Sequence, residues 1–265
     1  MAAIKCIVLD LDGTLLNRDQ TISPRTLRAV DACWAHGISI VLATGRPPRD
    51  VRHLLVTEAL REFVIYLDGA LTIHESDGLV YDHRTIPPSV SSRITQSVLS
   101  ADPRSIISFE VQDAWYCLES QIADEVINAD SPYPPPHTVD EVQIQALSPT
   151  KIILSGNANW ERVLRPFDPY VQIRATPDGA LIQVMEKSVS KESALSRVLN
   201  ALGVDPEVVM VFGDGPNDMG LFGLCGYPVA MGNAVDALKG RAKYITDSNE
   251  DDGVAAALQY LGVIP

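Results

Sequence analysis

The sequence predicts an α/β protein: a doubly wound parallel sheet interrupted by an inserted α+β unit. Two patterns carry this expectation. Over the first eighty or so residues, short apolar runs rich in β-branched residues alternate with amphipathic stretches, and the alternation returns after Ser190. Between these regions the strand signals come in pairs joined by turns, rather than one strand per helix. The first pattern belongs to a parallel sheet covered by helices on both faces, the second to an α+β arrangement. The expected division is a core of residues 1–84 and 188–265 around an insert of 85–187.

Each element has its own signal. Ile4–Leu9 is a short apolar run consistent with a strand buried on both faces. Ser23-Pro24 opens a helix, with Ser as N-cap and Pro in the first turn; the amphipathic run continues through Trp34 and stops at Gly37. Ile38–Ala43 reads as a second strand, Asp50 to Leu60 as a helical stretch, and Phe63–Leu67 as a third strand. A hairpin is expected around Asp77-Gly78, then a helix at Val90–Leu99. Ser105–Glu110 and Ala114–Leu118 read as antiparallel strands around Gln112-Asp113. Ser131–His137 holds four prolines and is expected to be a stiff connection. Lys151–Ser155 is another strand, and Val171–Thr176 with Leu181–Met185 forms a hairpin around Pro177-Asp178-Gly179. Alternation then resumes: helix Lys191–Leu202 stopped by Gly203, strand Val208–Phe212, helix from Asn217, strand Tyr227–Ala230, helix Val235–Arg241, strand Tyr244–Thr246, and a helix from Val254.

The composition narrows the function classes. The 265 residues carry 21 Lys and Arg against 34 Asp and Glu, a net charge of −13, with 46% apolar residues. That apolar fraction excludes intrinsic disorder for the bulk of the chain. The acidic surplus argues against nucleic-acid or anionic-membrane binding, because the average field repels phosphate backbones. A small phosphorylated substrate stays open but needs a local cationic site. Cys6, Cys33, Cys117 and Cys225 are far apart without metal-ligand spacing and read as buried small residues. The apolar run at the N-terminus is too short to span a membrane, and a signal peptide's cationic lead is lacking. The expected setting is cytoplasmic.

Four short segments stand out chemically. Asp10-Leu11-Asp12-Gly13-Thr14 falls at the carboxyl end of the first strand, the end that faces the ligand crevice in an open α/β sheet. Two carboxylates two residues apart can face one point, Gly13 permits a sharp turn, and Thr14 offers a hydroxyl to lock it. The alternative is a plain strand-terminating turn rich in Asp and Gly. An EF-hand is excluded, since Leu15 and Thr21 stand where its Gly and bidentate Glu belong. Ala43-Thr44-Gly45-Arg46 follows the second strand and is placed to bind an anion, or is simply a loop. Gly213-Asp214-Gly215-Pro216-Asn217-Asp218 follows a later strand. It is neither a dinucleotide fingerprint nor a P-loop, but its carboxylates and amide on tight glycine turns suit a hard cation such as Mg²⁺. Lys191 opens a helix where the macrodipole mildly disfavours it, and alone it reads as a solvated surface residue.

Taken in chain order, these segments resemble the four motifs of the haloacid dehalogenase (HAD) superfamily of phosphohydrolases, and the resemblance covers essentially the whole chain. The insert is similar to the α/β cap of the Cof-type branch, and Ala230–Ala234 and Glu250–Val254 are also family-like. The resemblance implies a Rossmann-like HAD core, Asp10 as nucleophile forming an aspartyl-phosphate, and Asp12 as acid and then base. It implies Mg²⁺ held by Asp10, Asp12 through its backbone carbonyl, Asp214 and Asp218, with Asn217 in support. Thr44, Lys191 and Asn217 are the implied phosphate contacts. Gly45 and Arg46 are possible substrate contacts; Arg46 reads equally as a surface salt bridge, and Arg174 and Glu186 are further guesses in the cap. One departure is Asp68 in Leu67-Asp68-Gly69, where many relatives carry Asn. The implied activity is Mg²⁺-dependent hydrolysis of small phosphorylated metabolites, sugar phosphates first, by a monomer or homodimer. The alternatives are a phosphotransferase or phosphomutase of the same superfamily, and a non-catalytic binding protein. Intact Asp10, Asp12, Lys191, Asp214 and Asp218 oppose the last.

Overall fold

Strand β1 (Cys6–Leu9) shows why the chain folds as it does: all four residues are buried, so both faces must be covered. Its parallel partners are β2 (Ser39–Ala43) on one side and β12 (Val209–Gly213) on the other, nearly all of whose residues are also buried. Each fully buried aliphatic side chain in these strands contributes about 1.5–3 kcal/mol of hydrophobic stabilisation. The structure, a computed structural model, describes residues 3–119, 135–156, 159–176 and 180–264. Contacts divide the chain into two units. One comprises Met1–Arg46, Asp50–Asp82 and Ser190–Pro265; the other comprises Pro47–Arg49 and His83–Val189.

The first unit is built on an eight-stranded sheet. Its remaining strands are β3 (Phe63–Tyr66), β4 (Leu71–His74), β5 (Leu79–His83), β13 (Tyr227–Ala230) and β14 (Tyr244–Ile245), in the order β14-β13-β12-β1-β2-β3-β4-β5. Pairing is parallel from β14 through β3, and β4 is antiparallel to β3. From β1 the chain moves outward through β2 and β3, then returns to β12 on the opposite side. The strand order therefore reverses at β1 and β12, where an open α/β sheet leaves a crevice at the carboxyl ends. Helix α1 (Pro24–Ala35) starts at Ser23, whose hydroxyl accepts the Thr26 N–H. Helix α5 (Lys191–Leu202) starts at Ser190, which forms a capping box with Ser193, and ends at left-handed Gly203. The remaining helices of this unit are α6 (Met219–Leu224), α7 (Asp236–Lys239) and α8 (Gly253–Tyr260).

One expectation fails here. The stretch from Asp50 to Leu60 is not a helix but three short 3₁₀ turns, Pro48–Asp50, Arg52–Leu54 and Glu58–Arg61. Pro47-Pro48 ahead of it and β-branched Val51, Val56 and Thr57 within it leave no continuous helical ladder.

The second unit carries a six-stranded sheet in the order β10-β11-β9-β6-β7-β8. These strands are β6 (Ile106–Val111), β7 (Ala114–Leu118), β8 (His137–Val139), β9 (Lys151–Ser155), β10 (Val171–Ala175) and β11 (Ile182–Glu186). All pairings are antiparallel except β7 with β8. Helix α2 (Pro88–Ala101) contributes Val90, Ile94 and Val98 to a core with Ile107, Phe109, Ile152, Leu154 and Val184. Two short helices, α3 (Glu141–Ala146) and α4 (Trp160–Leu164), and edge strand β8 were not expected from the sequence. His137, the end of the proline-rich connection, is the first residue of β8; residues 131–134 and the Pro177-Asp178-Gly179 turn lie outside the described residues. Arg49 belongs to this unit through Glu110, which accepts from its Nη1 at 2.7 Å and its Nη2 at 2.6 Å. Glu186 accepts the Ser188 N–H at 2.9 Å and so closes the end of β11 locally.

All four cysteines are buried thiols, and burial pushes Cys33 up to about 11 and Cys225 up to about 12. Among the described residues no helix is long and apolar enough to cross a membrane.

Candidate active site

Strand register sets the site. Leu9 of β1 lies opposite Leu42 of β2 and Phe212 of β12, so the next residues of the three strands leave the sheet side by side. Asp10 N–H still donates to Phe212 at 3.2 Å, and Thr44 N–H donates to Ile65 at 2.8 Å. The chain then turns back on itself. Thr14 N–H and Leu16 N–H both donate to the Leu11 carbonyl, at 3.2 and 2.9 Å, and Leu15 N–H donates to Asp10 at 3.2 Å. Gly13 stands at φ 76°, and a β-carbon there would lie 2.3 Å from Asp214 Oδ2. Only glycine allows the first loop to come this close to the third. The turn is closed by backbone bonds, and the Thr14 hydroxyl does not lock it: Thr14 Oγ1 is buried with no hydrogen-bond partner among the described residues.

Lys191 joins the first loop to the third. Its side chain is 1% exposed, and its Nζ donates to Asp10 Oδ1 at 2.6 Å and to Asp218 Oδ1 at 2.8 Å. Position N1 of α5 is therefore not a surface position; the side chain runs inward to two buried carboxylates. Burial opposes the charge on Lys191, but Asp10 and Asp218 outweigh it and hold the ammonium more firmly protonated than usual. Asp218 Oδ2 accepts the N–H groups of Asp214 and Gly215, both at 3.2 Å, so that carboxylate also shapes its own loop. Burial raises Asp10 well above the carboxylate range despite Lys191, with Asp218 adding to the rise. Burial first, and then the charge of Asp218, pushes Asp214 up to about 6.

Asp10, Asp214 and Asp218 each present an oxygen within 4.8 Å of the others. Three clustered carboxylates, with Asp10 and Asp214 raised in proton affinity, have the charge and hard oxygen donors that a divalent cation such as Mg²⁺ requires. The residues fit the cation that the sequence implies. The Asp12 side chain is not part of this cluster. Its Oδ2 accepts from Arg46 Nε at 2.9 Å, and its Oδ1 pairs with Arg46 Nη2, which also meets Gln20 Oε1.

The structure thus brings Asp10, Lys191, Asp214 and Asp218 together and places Thr44, fully buried, at the end of β2. Arg46, read as a substrate contact or a surface salt bridge, is bonded to Asp12. Asn217 is exposed on the 3₁₀ turn Pro216–Asp218. Several contributors escaped the sequence reading. Gln20 holds a left-handed backbone (φ 59°) beside Arg46. Asn233 Nδ2 donates to the Gly13 carbonyl at 2.7 Å, and Asn249 Nδ2 donates to that of Leu16 at 2.8 Å. These two asparagines tie the first loop to the segments around Ala230–Ala234 and Glu250. The family likeness of those segments was the available signal, without a role attached.

Comparison with known proteins gives a consistent result. The sequence profile of the haloacid dehalogenase-like hydrolases matches residues 7–258. A 5-amino-6-(5-phospho-D-ribitylamino)uracil phosphatase of Bacillus subtilis is 27% identical, over 97% of this chain and 98% of its own. A phosphatase of the HAD superfamily from Bacteroides thetaiotaomicron superposes with a TM-score of 0.82 at 27% identity, covering 98% of this chain and 96% of that one. A Thermotoga maritima structure reaches a TM-score of 0.83 at 23% identity with 97% of each chain covered, which speaks for the fold alone.

Proposed function

Because this chain belongs to the haloacid dehalogenase-like hydrolases, we propose that it is a divalent-cation-dependent phosphatase of small phosphorylated metabolites. The observation that carries the reading is the buried Lys191 ammonium, bonded to both Asp10 and Asp218 where β1 and β12 end. The Bacillus relative is named for a substrate with a phosphorylated ribityl chain. That supports polyol and sugar phosphates as the first substrates to try.

The chemistry divides into two displacements at phosphorus. Asp10 attacks through one carboxylate oxygen, the oxygen–phosphorus bond forms as the bond to the leaving alcohol breaks, and an aspartyl-phosphate results. Asp12 gives its proton to the leaving oxygen, then takes one from the water that attacks phosphorus and frees Asp10. Arg46 fixes the orientation of Asp12 through its paired contacts, and Gln20 fixes Arg46. Thr44 and Lys191 bind the phosphoryl oxygens, with Asn217 and Gly45 beside them. Asp10, Asp214, Asp218 and the Asp12 carbonyl are the residues that would hold Mg²⁺, which when bound neutralises charge on the phosphoryl oxygens. Losing one such electrostatic contact costs roughly two to three orders of magnitude in rate.

The test is Asp10→Asn with a generic aryl phosphate in the presence of Mg²⁺. Hydrolysis is expected to vanish while circular dichroism stays unchanged. Near-normal turnover by the variant, or wild-type activity that survives exhaustive EDTA treatment, would remove the nucleophile or the cation from the mechanism.

A further inference from the structure

Asn233 stands in the turn of residues 231–235 that follows β13, and this turn is fastened to the third loop. Met231 N–H donates to the Gly213 carbonyl at 3.1 Å, and Val235 N–H donates to that of Asp214 at 3.0 Å. On its other side the turn is wedged against the segment before α8. Gly232 N–H donates to the Asp247 carbonyl at 3.0 Å, and a β-carbon at Gly232 would stand 2.9 Å from the carbonyl carbon of Asp247. The turn therefore has a fixed place relative to Asp214. From it the Asn233 side chain reaches the first loop: its Nδ2 donates to the Gly13 carbonyl at 2.7 Å, and its Oδ1 accepts the Asn249 N–H at 3.1 Å.

Gly13 follows Asp12, and its backbone packs so closely on the Asp214 carboxylate that a β-carbon would lie 2.3 Å from Oδ2. The Asn233 amide thus spans a point where the first and third loops touch. Like charge works against that approach, since Asp10 on one loop and Asp214 and Asp218 on the other present oxygens within 4.8 Å of one another. Lys191 draws Asp10 to Asp218, and Asn233 holds Gly13 to the loop of Asp214. The amide suits this task because it is bonded at both ends, so its direction is set and its NH₂ faces Gly13. Asn233 is itself exposed and fills no part of the hydrophobic core.

We propose that Asn233 is a positioning residue for the cation: by holding the Gly13 carbonyl it fixes the spacing of the first loop from Asp214, and with it the preference of the site for a small divalent cation over a larger one. This rests on the reading of the chain as a cation-dependent phosphatase, which puts the cation between these loops. Mg²⁺ requires oxygens at about 2.0–2.1 Å in near-octahedral order, whereas Ca²⁺ takes about 2.3–2.6 Å and tolerates irregular sites. A spacing held by a single side-chain amide therefore matters to the first ion and little to the second.

The melting temperature of the intact, cation-stripped protein, followed as MgCl₂ or CaCl₂ is added, reads each affinity without turnover. Asn233→Ala is expected to weaken Mg²⁺ about tenfold and Ca²⁺ less than about threefold, as befits a group that orients others around a metal. Its melting temperature in EDTA should stay within about 3 °C of wild type, because one exposed hydrogen bond is lost. Asn233→Asp keeps the shape and can still accept the Asn249 N–H, but its carboxylate cannot donate to Gly13. It should lower the ratio of Mg²⁺ to Ca²⁺ affinity as the Ala variant does, since its added charge attracts both ions, and it carries the test if Asn233→Ala fails to fold. Asn249→Ala frees the Leu16 carbonyl and leaves the Gly13 bond in place, so its affinity ratio should match wild type. An unchanged ratio in the Asn233 variants overturns the proposal, as does an equal fall in Asn249→Ala, which would mark general loosening of the loop. A wild-type protein that binds Mg²⁺ yet hydrolyses no phosphomonoester would sink the phosphatase reading while leaving this comparison of affinities intact. A wild-type melting temperature that responds to neither ion would sink both.

Discussion

Replacing Lys191 with methionine keeps the length of the side chain and removes its charge. Asp10 and Asp218, 4% and 0% exposed, then face each other without the ammonium that holds them at 2.6 and 2.8 Å. Removing one partner of a buried ion pair costs about 3–5 kcal/mol, most of it the penalty of the uncompensated charge left behind. For a protein of this size each kcal/mol lowers the melting temperature by about 2–4 °C, so a fall of about 10 °C is expected. Asp10 can relieve part of the strain by taking up a proton, since burial already favours its neutral form. The loss should therefore be smaller in mildly acidic buffer than at neutral pH. Urea unfolding in EDTA, which keeps adventitious cations from replacing the ammonium, measures the cost. Asp10→Asn in the Lys191→Met background removes one of the stranded charges and should recover at least about 1 kcal/mol relative to additivity. A single-variant loss below about 1 kcal/mol, or strict additivity in the double variant, would refute the claim that Lys191 is the electrostatic keystone of the core.

Two further outcomes concern the same loops. Asp214 is pushed up to about 6 by burial and by Asp218. A carboxyl whose pKa is higher folded than unfolded binds more protons when folded, so cation-free stability falls as pH rises between about 4 and 6. A divalent cation needs these carboxylates deprotonated. Mg²⁺ should therefore raise the melting temperature more near neutral pH than at about pH 5, and equal shifts at both would contradict the cluster. Gly69→Ala places a β-carbon 2.2 Å from the Ser190 carbonyl at φ 103°. It should destabilise by about 1–3 kcal/mol and displace Lys191; denaturant unfolding within about 0.5 kcal/mol of wild type would show the contact is slack.

The parts of this protein legible in its sequence are those fixed by local chemistry. β1, β2 and β12 are buried on both faces, so they read as continuous apolar runs, and their ends are marked by Asp, Thr and Gly. Ser190 and Gly203 bracket α5 within the sequence itself. What escaped depends on partners far along the chain. Arg46 carries no mark of its bond to Asp12, 34 residues away. Gln20, Asn233 and Asn249 are ordinary polar loop residues until the fold aims them at Arg46, Gly13 and Leu16. The short helices α3 and α4 are too brief for periodicity to register. Lys191 enters the site only through the family resemblance, because helix-terminus electrostatics alone argues for a solvated side chain, and it is the assembled carboxylates that turn it inward.

The three residues Pro47–Arg49 also bear on protein engineering. A chimaera that excises residues 83–189 as a self-contained module would omit Arg49 and keep Glu110, whose side chain is 5% exposed. The graft would arrive with a carboxylate sealed in its interior and no guanidinium to meet it, a defect worth about 3–5 kcal/mol. It would also lose the 2.6 Å bond from the Arg49 N–H to Asp113 at the β6–β7 turn. A viable transplant must either carry the tripeptide as a second splice or exchange Glu110 for a neutral residue.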